Sequence, residues 1–214
     1  MRYSSITTLL APLAGLANAE IRGVTPHEQY SSFVGVLGCK IDTNRVAYFP
    51  QAVDCNNICI RVSYGGRSLH LLRIDQSGGA YDISYDAWNF LVTGRSARDQ
   101  PITGGAFPMD VQNVPADECR HLLFGNDGLG LSASNSMNYV ASCINQPGSW
   151  VERNYRLWNI QDPVCHWGWN ERCSLNLAVS NQPSCPHQLG PTNGRLPDTV
   201  YNIECGTGRR YPAP

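Results

Sequence analysis

The feature that most constrains this chain is residues 59–91, where two apolar runs flank a pair of glycines and a glycine-rich loop follows. In the first run, from Cys59 to Tyr64, apolar and polar residues alternate, as in a strand with one buried face. Gly65-Gly66 then supplies a two-residue turn that tolerates positive φ. With the second run, residues 69–74, the pattern predicts a β-hairpin.

The segment after this hairpin predicts a loop and a helix. Asp75 ends the second run, and a loop containing Gly78-Gly79 leads to Asp82. Ser84 is a good helix N-cap, because the apolar residues that follow it share one helical face. Two aspartates therefore bracket a glycine-rich loop between a strand and a helix.

This order of elements resembles the double-psi β-barrel superfamily, which includes expansins, barwin, cerato-platanins, bacterial rare lipoprotein A domains and family-45 endoglucanases. The resemblance rests on Cys55 and Cys59, Gly66-Arg67-Ser68, Arg73-Ile74-Asp75 and Asp82-Ile83-Ser84, with Val46-Ala47-Tyr48 in the place of a further family strand. It implies a mainly β fold: a six-stranded double-psi β-barrel with short helices, followed by a disulfide-rich, Trp-rich C-terminal extension. Such an extension is similar to those of fungal members.

The N-terminus predicts export. An apolar stretch follows Met1-Arg2 and ends in Ala17-Asn18-Ala19, which is the pattern of a secretory signal cleaved after Ala19. The apolar stretch is shorter than the ~20 residues that cross a bilayer. We therefore expect a secreted, extracellular protein without a membrane anchor.

Four regions are predicted along the chain. They are a signal peptide (1–19), a flexible leader (20–32), the barrel (33–125) and an extension packed on the barrel (126–214). Within the barrel region, residues 33–41 and 45–49 are predicted as strands, and Arg209 to Pro214 are expected to be frayed.

The cysteines predict a disulfide framework. There are nine of them, and export delivers them to an oxidising compartment, so four bridges would leave one thiol over. Their pairing is open, although the first four fall in the barrel region and could pair there. The nine are Cys39, Cys55, Cys59, Cys119, Cys143, Cys165, Cys173, Cys185 and Cys205.

The overall charge excludes some partner classes. The formal net charge is −1, and no basic patch points to nucleic acid or to an anionic membrane. No zinc site is predicted, because the Cys and His residues lack paired ligand spacing and export favours disulfides over thiolates. We predict no cofactor and no metal, and we expect a monomer.

Asp82 is the candidate catalytic residue. The resemblance implies this role, because Asp82 stands where family-45 endoglucanases have their general acid and where expansins keep an aspartate. Hydrolysis also needs a second carboxylate within ~5–9.5 Å, and Asp42 is the nearest substitute for the missing one. The structural alternative is that Asp82 caps the start of the helix.

Four further residues are candidates for contacting a ligand. They are Asp75, Tyr81, Tyr85 and Tyr64. Asp75 has a structural alternative, which is to tie down the glycine-rich loop. Trp88 is predicted to be core, whereas Trp167-Gly168-Trp169 is either a stacking platform or the core of the extension.

Three functional hypotheses follow. The first is a secreted, non-hydrolytic, expansin-like protein that binds cell-wall polysaccharide or a host surface. The second is a glycoside-cleaving enzyme resembling family-45 endoglucanases, with Asp82 as general acid. The third is an effector or inhibitor module that binds an extracellular host protein.

Overall fold

Within residues 19–190 and 193–214, which the computed structural model describes, six strands close into a barrel. In chain order they are β1 (Glu20–His27), β2 (Val46–Phe49), β3 (Cys59–Tyr64), β4 (Arg67–Gln76), β5 (Tyr81–Ser84) and β6 (Phe107–Asn113). The order around the barrel is β1-β5-β2-β4-β3-β6, and β6 pairs with β1 to close it. Two pairs, β1–β5 and β2–β4, are parallel, and the other pairs are antiparallel. The predicted mainly β, six-stranded barrel is confirmed.

The hairpin that dominates the sequence forms as predicted. β3 and β4 pair antiparallel from Cys59↔Leu72 to Tyr64↔Arg67. Gly65 and Gly66 make the turn with φ of 55° and 76°, and residues that have a Cβ rarely adopt positive φ. The helix predicted after the loop is α1 (Tyr85–Thr93), and it begins directly after Ser84.

The prediction for residues 20–41 is wrong in two respects. Most of the expected leader, Glu20–His27, is β1, which pairs with β5 on one side and β6 on the other and so closes the barrel. The apolar run 33–41 is not a barrel strand. It includes a short 3-10 helix (Gly38–Lys40), and Val36, Leu37 and Ile41 are buried in the core shared with the extension, whereas Phe33 is exposed.

The extension contains short strands and helices. A 3-10 helix (Phe124–Asn126) spans its boundary with the barrel region. The elements that follow are β7 (Leu129–Ser132), α2 (Met137–Ile144), α3 (Trp150–Asn154), β8 (Tyr155–Ile160), β9 (Gly168–Arg172), β10 (Tyr201–Ile203) and β11 (Arg210–Pro212). Another 3-10 helix, Ala116–Leu122, precedes it. The C-terminal residues are not frayed as expected, because β11 pairs with β10.

Four disulfides form among the described residues, and Cys205 remains a free thiol, as the count of nine predicts. The pairs are Cys39–Cys165, Cys55–Cys143, Cys59–Cys119 and Cys173–Cys185. Only the third pair lies within the barrel region. The first two instead join the barrel region to the extension.

Two hydrophobic cores are present. One fills the barrel and includes Trp88, which is fully buried as predicted. The other lies between the outer surface of the barrel and the extension, where Tyr48 and Ile74 from the barrel meet Val140 and Leu157. The extension is therefore packed on the barrel through a shared core.

The predicted signal peptide falls almost entirely on residues 1–18, which lie outside the described residues. Among the residues that are described, none of the helices has the length and apolar character needed to cross a bilayer.

Candidate functional site

The candidate site is a row of four side chains across neighbouring strands of the barrel. Asp82 on β5 pairs with Thr25 on β1 and with Tyr48 on β2, and Tyr48 in turn pairs with Asp75 on β4. Side chains directly opposite each other on paired strands point to the same side of the sheet. We call Thr25, Asp82, Tyr48 and Asp75 the Asp82 row.

A β-bulge brings Asp75 into this row. Ala47 pairs with Arg73, but the next residue, Tyr48, pairs with Asp75, so Ile74 is an extra residue on β4. Without this bulge, Tyr48 would face Ile74. Bulges re-aim side chains in this way and are frequent beside functional sites.

The Asp82 carboxylate is half-buried and partly free. Its Oδ1 accepts a hydrogen bond from the Thr25 hydroxyl, whereas Oδ2 has no hydrogen-bond partner among the described residues. The Asp82 side chain is bonded to the neighbouring strand β1. Among the described residues, it accepts no hydrogen bond from the backbone N–H groups at the start of α1, as a helix cap would. The contacts therefore favour an accessible acceptor over the helix cap that was the structural alternative.

Tyr48 lies between the two carboxylates of the row. Burial raises the pKa of Tyr48 well above its ordinary value, and the nearby charges of Asp75 and Asp82 raise it further, so the phenol stays neutral. Its hydroxyl donates to the Gln29 carbonyl at 3.3 Å. The His27 ring packs against the Tyr48 ring with 4.3 Å between centroids, and His27 is half-buried.

Asp75 has a structural role. Its side chain is only 3% exposed. Oδ1 accepts from the backbone N–H of Gln76 at 2.8 Å, and Oδ2 accepts from the Ser31 hydroxyl at 3.2 Å. These contacts fix the end of β4 against the chain that follows β1, and they take Asp75 out of the set of ligand-binding candidates.

The three tyrosine candidates are not brought together with Asp82. Tyr81 precedes Asp82 in the strand, so its side chain points to the opposite face, where it packs edge-on against Phe49 with 4.8 Å between centroids. Tyr85 is only 2% exposed, and its hydroxyl is bonded to the backbone of Ile102 and Gly206, which removes it as a surface contact.

Tyr64, at the end of β3, makes an edge-to-face contact with Phe107 at 5.4 Å and belongs to the core of the barrel. It is therefore a packing residue in this structure.

A second carboxylate for hydrolysis is not provided by Asp42. Asp42 lines a separate cleft whose walls do not include Asp82, and its Oδ1 accepts from the backbone N–H of Asn44 at 3.0 Å. Asp75 lies two strands from Asp82, roughly 9–10 Å at the backbone. However, both of its oxygens are bonded in a buried position.

The sequence did not identify Thr25 and His27 as site residues, because both lie in the stretch expected to be a leader. Only the non-local pairing of β1 with β5 places them beside Asp82 and Ser84. Tyr48 was predicted as a strand residue but not as part of a site.

The Trp167-Gly168-Trp169 motif is a surface feature. Trp167 and Trp169 are 39% and 40% exposed, so neither is the core of the extension. The Trp169 ring stacks on the His187 ring with 4.0 Å between centroids, and Glu171 bonds to the same His187 ring at 2.6 Å.

Among the described residues, no group of three His, Cys, Asp or Glu side chains is arranged to hold a metal ion. Comparisons with protein-family models, with curated proteins and with solved structures find no match for this chain.

Proposed function

We propose that this protein is a secreted, expansin-like member of the double-psi barrel superfamily that binds cell-wall polysaccharide without hydrolysing it. The observation that carries the proposal is the asymmetry of the Asp82 row. One carboxylate, Asp82, is accessible with a free oxygen, and the other, Asp75, is buried and fully bonded.

The groups around Asp82 suit a sugar. A carboxylate oxygen accepts hydrogen bonds from hydroxyl groups, and the Thr25 hydroxyl beside it is both a donor and an acceptor. The half-buried His27 ring, packed on Tyr48, follows Thr25 by two residues on β1 and so lies on the same side of the sheet, where it could add a ring contact to the ligand. Glycoside hydrolysis needs two working carboxylates, so this surface favours binding over cleavage.

Secretion is part of the same proposal. Four disulfides among the described residues suit an oxidising compartment, since the cytosol keeps thiols reduced. An extracellular protein of this kind meets cell-wall polysaccharide directly. A host protein is the other extracellular partner that the test below addresses.

The test compares two variants that carry the same substitution at different places on the barrel. Asp82→Asn removes the charge of the accessible carboxylate, and Asp110→Asn does the same for an exposed aspartate on β6. Wild type and both variants are incubated with insoluble cellulose, chitin and β-glucan. Bound protein and released reducing sugar are measured in the same tubes.

We expect wild type and Asp110→Asn to bind at least one of the three polysaccharides, and Asp82→Asn to bind it several-fold more weakly. We expect none of the three proteins to release reducing sugar. Sugar release that Asp82→Asn abolishes would replace this proposal with the hydrolase hypothesis. Failure of wild type to bind any of the three would favour a protein partner.

A further inference from the structure

A large cleft lies at the junction of the barrel and the extension, away from the Asp82 row. Its volume is about 620 Å³, and it lies between the loop that contains Asp42 and the segment 197–203. Ligand sites commonly measure ~300–1,000 Å³ and occur at such junctions. The cleft is therefore large enough for a short oligosaccharide.

Two cations line this cleft, and neither has an acidic partner among the residues that the structure describes. The ion pairs formed by arginines in the described part of the chain do not include Arg98 or Arg210. The Arg210 guanidinium lies over the Tyr201 ring, 3.7 Å from its centroid, which orients it within the cleft wall. An arginine side chain that has no acidic partner within the protein can bind a ligand carboxylate through two parallel hydrogen bonds.

Two carboxylates line the same cleft. One carboxylate oxygen of Asp42, Oδ1, accepts a hydrogen bond from the backbone N–H of Asn44. The Asp198 carboxylate interacts electrostatically with Lys40. This mixed lining of two arginines and two aspartates disfavours nucleic acid, whose closely spaced phosphates would also lie against the aspartates. In an oligosaccharide the carboxylates are separated by whole sugar rings, so they can face the arginines while hydroxyl groups face the aspartates, because a carboxylate accepts hydrogen bonds from hydroxyl groups.

Aromatic surface completes the site. Phe124 lines the cleft and is 56% exposed, and the Tyr201 ring lies beneath Arg210. The exposed Phe124 ring can pack against the apolar face of a sugar ring, while a polar rim binds the hydroxyl groups of the sugar.

From these groups we infer that the cleft binds an acidic oligosaccharide built from uronic acid units. Arg98 and Arg210 pair with its carboxylates, Asp42 and Asp198 accept hydrogen bonds from its hydroxyl groups, and Phe124 contacts a ring face. This site is separate from the Asp82 row and does not require that row to bind glycan.

The test is calorimetric titration of the whole secreted chain with tetragalacturonate, and with cellotetraose as the neutral probe of equal length. The variant Arg98→Gln/Arg210→Gln removes both cations. Arg95→Gln is the matched control, because Arg95 is exposed in the loop that contains Arg98 but does not line the cleft. Asp82→Asn is titrated in parallel.

We expect the double variant to bind tetragalacturonate at least about tenfold more weakly, since it loses hydrogen bonds between charged groups. Arg95→Gln and Asp82→Asn should bind it as wild type does, and wild type should bind it more weakly as salt is raised. The inference would be overturned if the double variant bound tetragalacturonate as tightly as wild type does. It would also be overturned if wild type bound cellotetraose equally tightly, or did not bind tetragalacturonate. If only Asp82→Asn lost binding of tetragalacturonate, this ligand would instead be assigned to the Asp82 row.

Discussion

Asp75 and Asp82 lie on the same side of the sheet with Tyr48 between them, yet their surroundings give them different roles. Asp75 is buried, and both of its oxygens are bonded to the protein. Asp82 is only half-buried, and one of its oxygens is bonded to Thr25 while the other has no partner among the described residues. At the scale of single residues, the hydrogen-bond partners therefore separate a structural carboxylate from one that can meet a ligand.

Cys205 gives a prediction at the same scale. Burial, together with the neighbouring Glu28 carboxylate, raises the pKa of the Cys205 thiol to about 12. The thiolate is the reactive form, and at pH 8 only roughly one Cys205 thiol in ten thousand would be ionised at any moment, which slows the labelling rate. We expect Ellman's reagent to label the native protein at least a hundredfold more slowly than the unfolded protein, which should show one thiol.

Replacing Glu28 by Gln tests the cause of this protection. Loss of the negative charge should lower the pKa of Cys205 and speed up its labelling in the native state. Glu152→Gln, in α3, is the control and should leave the rate unchanged. Rapid labelling of the native wild type, at the rate of the unfolded chain, would show that the thiol is not protected as we describe.

At the scale of elements, α1 is fixed to the barrel by Trp88. The Trp88 side chain is fully buried, and its ring N–H donates to the Val24 carbonyl of β1 at 3.2 Å. The backbone of Gly104 approaches this ring so closely that a Cβ there would lie 2.2 Å from a ring carbon. The neighbouring Gly105 has no atom within 4 Å of the same position.

We therefore expect Gly104→Ala to lower the free energy of unfolding by about 1–3 kcal/mol, the usual cost of overpacking a core. Gly105→Ala should be neutral or slightly stabilising, because it only restricts the unfolded chain. Urea unfolding followed by circular dichroism measures both variants. Equal stability of the two would contradict the close packing of Gly104 on Trp88.

The elements also show which parts of the fold can be predicted from the sequence. The β3–β4 hairpin is recognisable because its alternation and its Gly65-Gly66 turn are local signals. β1 has no such signal, since Val24 is its only fully buried residue and its pairing partners lie far along the chain. In the run 33–41, Val36, Leu37 and Ile41 are apolar because they pack in the core shared with the extension, and local sequence does not distinguish such a segment from a strand.

The same distinction applies to the site. Asp82 was identified from its resemblance to a family motif, whereas Thr25 and Tyr48 join it only through strand register. The register between distant strands depends on the whole barrel, so it cannot be predicted from the sequence of either strand alone.

At the scale of the whole molecule, the barrel and the extension are held by a shared core and by two long-range disulfides. Cys39–Cys165 and Cys55–Cys143 span 126 and 88 residues, whereas Cys173–Cys185 spans 12. A cross-link restricts the unfolded chain more when it closes a longer loop.

Removing Cys39–Cys165 with a pair of alanines should therefore lower the free energy of unfolding by roughly 2 kcal/mol more than removing Cys173–Cys185 in the same way. The measurement is urea unfolding of the two double variants beside wild type. A smaller loss for Cys39→Ala/Cys165→Ala would contradict the role of this disulfide in joining the extension to the barrel.

Binding of a wall polysaccharide at the surface around Asp82 can be observed residue by residue with NMR. Amide shifts of ¹⁵N-labelled protein are followed during titration with cellohexaose, a soluble β-glucan fragment, and during the same titration of Asp82→Asn. We expect the largest shifts at Thr25, His27, Tyr48 and Asp82, and we expect them to disappear in the variant. Shifts confined to other surfaces, such as the one around Trp169, or an unchanged response in Asp82→Asn, would contradict this expectation.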